Sequence, residues 1–331
     1  MVAIYVTSID RGAGKTMICA GLGRQLRKAG RKAGFFKPII TTGNQVKAGS
    51  DSDTVFMKSI LDLPESVEVL NPVFSRDSNL SDRIKQAYLE VARDKDIVLI
   101  EGPPDAESEN IIQALDARTL IIDGYSARLS PKNYLKPGMN LLGVIINKVA
   151  VRHFAWVSGE LMSGFRNAGV TLLGVIPEDR VLSAITVADL AQSLGGKVLN
   201  AADRTNELVE SVMIGAMTVD SGLDYFGRRN NKAVLVRGER PDMQMAALQT
   251  ATRCLVIGGG GEPVPAVLQQ AELRQVPLIS VKSDTAATVV ALEGALLGAR
   301  FNQEKKLARL DEIMGKHFKF PELHQALGLS K

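Results

Sequence analysis

Short runs of consecutive apolar residues, each followed by a stretch with helical spacing, recur along this chain and limit its fold more than any other feature. In the first half the runs are AIYVT, AGFFKPI, DIVLIEG, RTLIIDG, LLGVIINK and LLGVIPE. A strand with one wetted face alternates apolar and polar side chains. A strand that is apolar on both faces belongs in the middle of a sheet covered above and below. The intervening helices supply those covers: over Thr16–Ala29, residues Met17, Ala20, Leu22 and Leu26 form one apolar stripe. Repeated strand–helix–strand units wind right-handedly into a parallel sheet. The expected fold class is α/β, a doubly wound parallel sheet.

A chain of 331 residues exceeds the length at which one core usually stops growing, about 250–300 residues. A seam is expected near 195–204, where LGGKVLNAADRT gathers glycines and polar residues. Beyond it VMIGAM, KAVLVRG, RCLVIGG and VPLISVK read as strands, with helices at Met243–Ala251 and Val264–Arg274 between them. The final stretch, NQEKKLARLDEIMGKHFKF, alternates charges at helical spacing and reads as an exposed helix. The expected division is therefore 1–199, 203–300 and a helical tail, 301–331.

Forty basic and thirty-six acidic residues leave a net charge of +4, spread without aromatic interleaving, so no nucleic-acid partner is expected. No run reaches the roughly 20 apolar residues that span a bilayer, so no membrane association is expected. MVAIYVTSIDRGAGK lacks a basic leader and a small-residue cleavage site and reads as a buried first strand. Cys19 and Cys254, far apart in sequence, suit a reducing cytoplasm. With His153, His317 and His324 they form no metal-ligand spacing.

The chemical signal is Ser8-Ile9-Asp10-Arg11-Gly12-Ala13-Gly14-Lys15-Thr16, directly after a strand and opening a helix. Glycines allow the backbone to curl so that successive N–H groups face a phosphate, and the helix N-terminus adds its partial positive charge. In such a P-loop Lys15 neutralises the β- and γ-phosphates and Thr16 offers its hydroxyl to Mg²⁺. The usual pattern begins with glycine; this chain has Ser8.

This loop, followed by Phe36-Lys37-Pro38, Ser52-Asp53, Ile100-Glu101-Gly102 and Gly174-Val175-Ile176-Pro177-Glu178-Asp179, resembles dethiobiotin synthetase and the ATP-dependent amide-forming enzymes of cobalamin synthesis. The resemblance implies ATP and Mg²⁺ as cofactors. It assigns Asp10, Gly12, Ala13, Gly14, Lys15, Thr16, Met17 and Asn147 to the nucleotide, with Asn147 reading the base through an amide that donates and accepts. It gives Lys15 and Lys37 the catalytic role of neutralising phosphate or an anionic substrate. Thr16, Asp53 and Glu101 become the metal set, hard oxygen donors of the kind Mg²⁺ prefers. A second reading of Asp53 is the N-cap of the helix that follows. The Thr41-Thr42-Gly43 turn offers further hydroxyls.

The departures bear on activity. Where dethiobiotin synthetase has a glycine-rich loop, this chain has Gly102-Pro103-Pro104-Asp105, and two prolines remove two backbone donors. Neither cysteine has the context of a glutamine-hydrolysing nucleophile. Asp10 stands where a related class of dimeric ATPases carries a lysine.

In the second half, Asp203-Arg204-Thr205-Asn206-Glu207 and the strands after it resemble the DRTGG domain, with Asn206 and Glu207 in place of its two glycines. Gly238, Arg240, Asp242, Gly258–Gly261 and Asp284-Thr285 follow strands and line a carboxyl edge, where open parallel sheets bind ligands. A small ligand or a protein partner is expected there. The combination resembles the N-terminal regulatory part of long bacterial phosphate acetyltransferases. The transferase domain of those enzymes would need a further domain or two beyond residue 331, so acetyl transfer by this chain alone is not expected. The expected function is an ATP/Mg-binding regulatory protein with at most weak ATPase activity, forming a homodimer by analogy. The alternative is an ATP-dependent carboxylate-activating ligase related to dethiobiotin synthetase or cobyrinic acid a,c-diamide synthase.

Overall fold

The computed structural model describes residues 1–41, 47–76, 78–102, 107–126, 129–135, 138–218 and 221–329. The chain divides into two compact units, residues 1–178 with 301–331, and residues 179–300.

The first unit opens with β1 (Val2–Ser8), α1 (Lys15–Lys28), β2 (Ala33–Phe36) and β3 (Ile39–Thr41). Next come α2 (Ser52–Leu61), α3 (Val67–Leu70), β4 (Val73–Ser75), α4 (Leu80–Ala92) and β5 (Ile97–Glu101). Then follow α5 (Glu107–Ala114), β6 (Arg118–Gly124), β7 (Leu141–Val149), α6 (Val151–Trp156), α7 (Met162–Asn167) and β8 (Leu172–Pro177). Six of these strands form a parallel sheet in the order β2-β5-β1-β6-β7-β8. Its centre is dry: Ile4, Tyr5 and Val6 of β1 and Ile97 to Ile100 of β5 are fully buried. After β1 the chain crosses to β2 on one side, and from β5 onward it crosses to the other. The topological switch point, where such sheets bind ligands, therefore falls at the carboxyl end of β1.

The run AGFFKPI splits at Lys37-Pro38. Pro38 has no N–H to continue the ladder of the edge strand β2 with β5. The Lys37 amide instead bonds the Leu70 carbonyl at 2.8 Å, and β3 leaves the main sheet to pair with β4 in a two-stranded ribbon.

The second unit contains β9 (Ile185–Thr186), α8 (Val187–Ser193), β10 (Lys197–Val198), β11 (Leu208–Val209), β12 (Ser211–Ile214) and α9 (Gly222–Gly227). It continues with β13 (Lys232–Arg237), α10 (Pro241–Leu248), β14 (Thr252–Gly258), α11 (Pro265–Leu273), β15 (Leu278–Ser280) and α12 (Thr285–Leu297). Its sheet runs β10-β15-β14-β13-β12, parallel except for the antiparallel edge strand β10. Alternate residues of β13 face opposite cores. Ala233 and Leu235 join Val187, Leu190 and Leu292, whereas Val234 and Val236 join Phe226, Met243 and Val267.

Two expectations need correction. The boundary lies at 178/179, not 199, because β9 pairs antiparallel with β11 and Val187, Leu190 and Ala191 belong to the second unit's core. The tail is not an exposed separate element. Its helices α13 (Leu307–His317) and α14 (Phe320–Ala326) belong to the first unit. Helix α13 buries Leu307, Leu310, Ile313 and Met314, a stripe at helical spacing that the surrounding charges hide in the sequence. Asp311 accepts hydrogen bonds from Arg24 Nη2 at 2.8 Å and Lys28 Nζ at 2.9 Å, both on α1. Gly21 of α1 permits the approach, since a Cβ there would overlap Met314 Sδ. Leu310→Ala is expected to cost about 2–4 kcal/mol through lost burial and a residual cavity. Urea unfolding measures it, and a loss within about 0.5 kcal/mol, the surface-substitution range, would show the helix undocked.

Among the described residues no helix is long and apolar enough to cross a membrane. Cys19 and Cys254 are both buried free thiols.

Candidate functional site

The chain leaves β1 at Ser8 and enters α1 at Lys15 through a loop with two left-handed glycines, Gly12 (φ 73°) and Gly14 (φ 98°). Gly14 is required twice over, because a Cβ would also overlap Asn147 Nδ2. That amide donates to the Ala13 carbonyl at 2.8 Å. Beside it Lys148, itself left-handed at φ 56°, donates Nζ to the Gly12 carbonyl at 2.9 Å. The end of β7 thus braces the loop from behind. Asn147 is 2 % exposed, and this brace engages one of its two amide hydrogens.

Ser8 has a defined task in place of the usual glycine. Its Oγ donates to the Asp10 carbonyl at 2.7 Å and accepts from Lys15 Nζ at 3.0 Å, so one hydroxyl turns the loop and aims the lysine. Burial lowers the Lys15 pKa, and the Glu101 carboxylate opposes the shift. Met17 is buried, so its backbone is the part available to a phosphate. Asp10 is exposed.

Opposite Lys15 lies an acidic floor. Glu101 closes β5 and is 6 % exposed; Asp53 sits in the first turn of α2. Thr16 Oγ1 lies 3.0 Å from Glu101 Oε1 and 3.4 Å from Asp53 Oδ2, the hydroxyl donating towards both carboxylates. The N-cap of α2 is Asp51, not Asp53: Asp51 Oδ2 accepts from Thr54 N at 3.1 Å and Thr54 Oγ1 at 3.0 Å. Asp53 is therefore left to face Thr16.

Lys37 Nζ reaches three carboxylates, Asp51 Oδ2 at 2.9 Å, Asp53 Oδ2 at 3.0 Å and Glu101 Oε1 at 3.3 Å. Burial alone would lower its pKa, but Glu101, Asp53 and Asp51 outweigh burial and hold it above the ordinary lysine value. Burial raises the Glu101 pKa, with Lys37 counteracting. Asp53 Oδ1 and Glu101 Oε2 are buried without a hydrogen-bond partner. Orphaned carboxylate oxygens beside a hydroxyl fit a hard divalent cation. No group of three or more His, Cys, Asp or Glu among the described residues forms a metal cage. The remaining ligands would have to come from phosphate oxygens and water, the usual company of Mg²⁺.

Lys15, Thr16, Lys37, Asp53 and Glu101 thus converge as the sequence suggests. Asp51 and Lys148 were missed. Asp51 was signalled only by the repeat in Asp51-Ser52-Asp53, and no periodicity marks Lys148. Also unforeseen is Asp123 near the end of β6, 6 % exposed and accepting from Tyr134 Oη at 2.7 Å. Thr42, Gly43 and Pro103-Pro104-Asp105 lie outside the described residues.

In the second unit a cleft of about 370 Å³ opens at the carboxyl edge, lined by Ile214, Leu235, Arg237, Glu239, Arg240 and Thr285 among others. Arg240 is paired with Asp242 at 2.7 Å, and Asp284 caps α12 through Ala287 N at 2.8 Å. The Gly238 and Gly261 backbones abut, a Cβ on Gly238 falling 3.0 Å from the Gly261 Cα.

Comparison with known proteins identifies two domains. Residues 2–186 match the family described as AAA domain, and residues 189–295 match the DRTGG domain. Phosphate acetyltransferase of Pseudomonas putida is 24% identical over 365 residues, covering 99% of this chain and 52% of that protein. The chain therefore spans about half the length of these relatives. ATP-dependent dethiobiotin synthetase of Methanococcus vannielii is 28% identical over 171 residues, covering 44% of this chain and 78% of that enzyme. A solved structure of the CBS and DRTGG domains of Clostridium perfringens pyrophosphatase, complexed with diadenosine tetraphosphate, aligns loosely. It is 12% identical at a TM-score of 0.32, covering 51% of this chain and 85% of that one. With a P-loop at the switch point of a parallel sheet and over half its residues matched, the chain belongs to the AAA domain family and carries a DRTGG domain after the P-loop unit.

Proposed function

We propose that the first unit binds ATP with Mg²⁺ and that the chain is a nucleotide-binding regulatory protein, related to the corresponding part of long phosphate acetyltransferases, with at most slow hydrolysis. The observation that carries this reading is a P-loop at the carboxyl end of β1 in which Ser8 holds Lys15 and the next residue, Thr16, meets Asp53 and Glu101. The loop amides and Lys15 hold the phosphates, while Thr16, Asp53 and Glu101 hold the metal. When bound, Mg²⁺ supplies charge neutralisation between the phosphates and this acidic floor. Lys37 adds an ammonium on the γ-phosphate side, and Asn147 Oδ1 is the acceptor for the base.

The regulatory half of the reading rests on company. The P-loop and DRTGG domains together align with 99% of this chain in a phosphate acetyltransferase, whereas dethiobiotin synthetase accounts for 44%. The DRTGG unit would receive a small ligand or protein partner, in a cytoplasmic homodimer without nucleic acid.

Calorimetric titration of ATP with and without Mg²⁺, then phosphate release on the same sample, tests the proposal. Mg²⁺-dependent binding with slow release that amino acids and carboxylates leave unchanged is expected. Release stimulated by a carboxylate substrate would instead make the chain a carboxylate-activating ligase. Absence of binding would overturn both readings.

A further inference from the structure

Asp51 has no place in the phosphate and metal assignments above, yet it makes the shortest contact to Lys37, 2.9 Å. Three carboxylates, Asp51, Asp53 and Glu101, surround one ammonium. The carboxylates outnumber the ammonium groups around them, Lys15 included, so the cluster keeps an excess of negative charge that suits a cation. Lys37 also sits on Asp53 Oδ2 and Glu101 Oε1, the two oxygens Thr16 Oγ1 addresses. A metal seated beside Thr16 therefore draws on the same carboxylates as the ammonium.

We propose that Lys37 is a tethered counter-cation competing with the divalent metal for Asp53 and Glu101, and that Asp51 is the seat to which it withdraws when the metal enters. The inference rests on the Mg-ATP reading of the site. Mg²⁺ binds oxygens at about 2.1 Å, so a metal on the unpartnered Asp53 Oδ1 and Glu101 Oε2 would share both carboxylates with an ammonium on Oδ2 and Oε1, and like charges on one buried pair of carboxylates repel strongly. Retreat to Asp51 requires little. The Lys37 backbone is pinned on both sides, its carbonyl by Asn71 Nδ2 at 2.8 Å and its amide by Leu70 O at 2.8 Å. Only the side chain has to swing, and Asp51 already holds it. The metal alone must then displace the ammonium, whereas metal with a phosphate gives the ammonium a new anionic partner. Lys37 thereby makes metal entry conditional on nucleotide.

The plainer role of Asp51 is capping α2. Asparagine caps a helix about as well as aspartate, so Asp51→Asn removes the charge and keeps the cap. The test is Mn²⁺ titration of the full chain by electron paramagnetic resonance without nucleotide, with calorimetric ATP titrations alongside. Lys37→Met is expected to tighten Mn²⁺ binding by about tenfold or more, since a competing cation is gone. Asp51→Asn is expected to weaken it several-fold at an unchanged thermal midpoint, and the double variant should return to the Lys37→Met level. Unchanged or weaker Mn²⁺ binding by Lys37→Met would overturn the competition, and so would an Asp51→Asn affinity equal to the parent's. Metal-dependent ATP binding by the parent with no gain in Lys37→Met sinks this proposal alone. Metal-independent ATP binding sinks the site reading and the proposal with it.

Discussion

Lys15→Ala should weaken Mg-ATP binding by roughly a hundredfold to a thousandfold while leaving the unfolding midpoint nearly unchanged. Each charge-assisted hydrogen bond to a phosphate contributes about 1.5–3 kcal/mol, and a P-loop lysine serves two phosphates. At about 1.4 kcal/mol per decade, two such contacts taken in the lower part of that range, about 1.5–2 kcal/mol each, amount to two or three decades of affinity. The fold loses little, because among the described residues the side-chain bond from Lys15 is to Ser8 Oγ at 3.0 Å, and Ser8 still donates to the Asp10 carbonyl at 2.7 Å. A general loss of structure would appear in the midpoint; loss of the phosphate contact would not. Calorimetry decides the point: an affinity within threefold of the parent would remove Lys15 from the phosphate site and end the P-loop assignment.

Lys232→Met should stabilise the second unit at pH 7, by about 2–3 kcal/mol, and the gain should fade as pH rises past 8. Lys232 opens β13 fully buried, and its Nζ donates to Thr250 Oγ1 at 2.9 Å. Burial pushes its pKa from 10.5 down to about 8. Below pH 8 both folded and unfolded chains carry the proton, so the folded state bears the full cost of a buried ammonium. Between about pH 8 and 10.5 the unfolded chain binds more proton than the folded one, so parental stability rises with pH. A pKa lowered from 10.5 to about 8, at about 1.4 kcal/mol per pH unit, bounds the gain at somewhat over 3 kcal/mol, and residual solvation of the ammonium together with its bond to Thr250 brings the expected value below that bound. Methionine keeps the apolar stem, and Thr250 Oγ1 retains its bond to the Ala247 carbonyl at 2.8 Å. Urea midpoints of both proteins at pH 7 and pH 10 provide the test. A variant less stable at pH 7, or a gain equal at both values, would show that the ammonium carries no such penalty.

Much of the first unit could be read without coordinates. The dense apolar strands ending in Ser8 and Glu101 announce a parallel sheet, because continuous apolar runs tolerate only a doubly covered position. The loop from Ser8 to Thr16 announces phosphate binding, because its glycines and lysine are confined to one local turn. The tail shows where such reading failed. Charges at 305, 306, 309, 311, 312 and 316 read as a solvated helix, while Leu310 and Met314 are buried. The seam failed similarly, since the two-residue strand β9 is too short to carry a pattern and acquires its meaning only by pairing with β11.

The sequence by itself determined the α/β class, the P-loop and the chemical identity of the lysines, threonine and carboxylates around it, all of which depend on local pattern and residue type. Tertiary structure alone decided that Ser8 holds Lys15, that Asn147 and Lys148 brace the loop, and that Asp51 rather than Asp53 caps α2 while sharing Lys37 with Asp53 and Glu101. Local pattern reports which face of an element is buried. Which polar atoms meet depends on strand order and helix placement, and those bring Asp51, before α2, and Glu101, at the end of β5, each within reach of the Lys37 ammonium after β2.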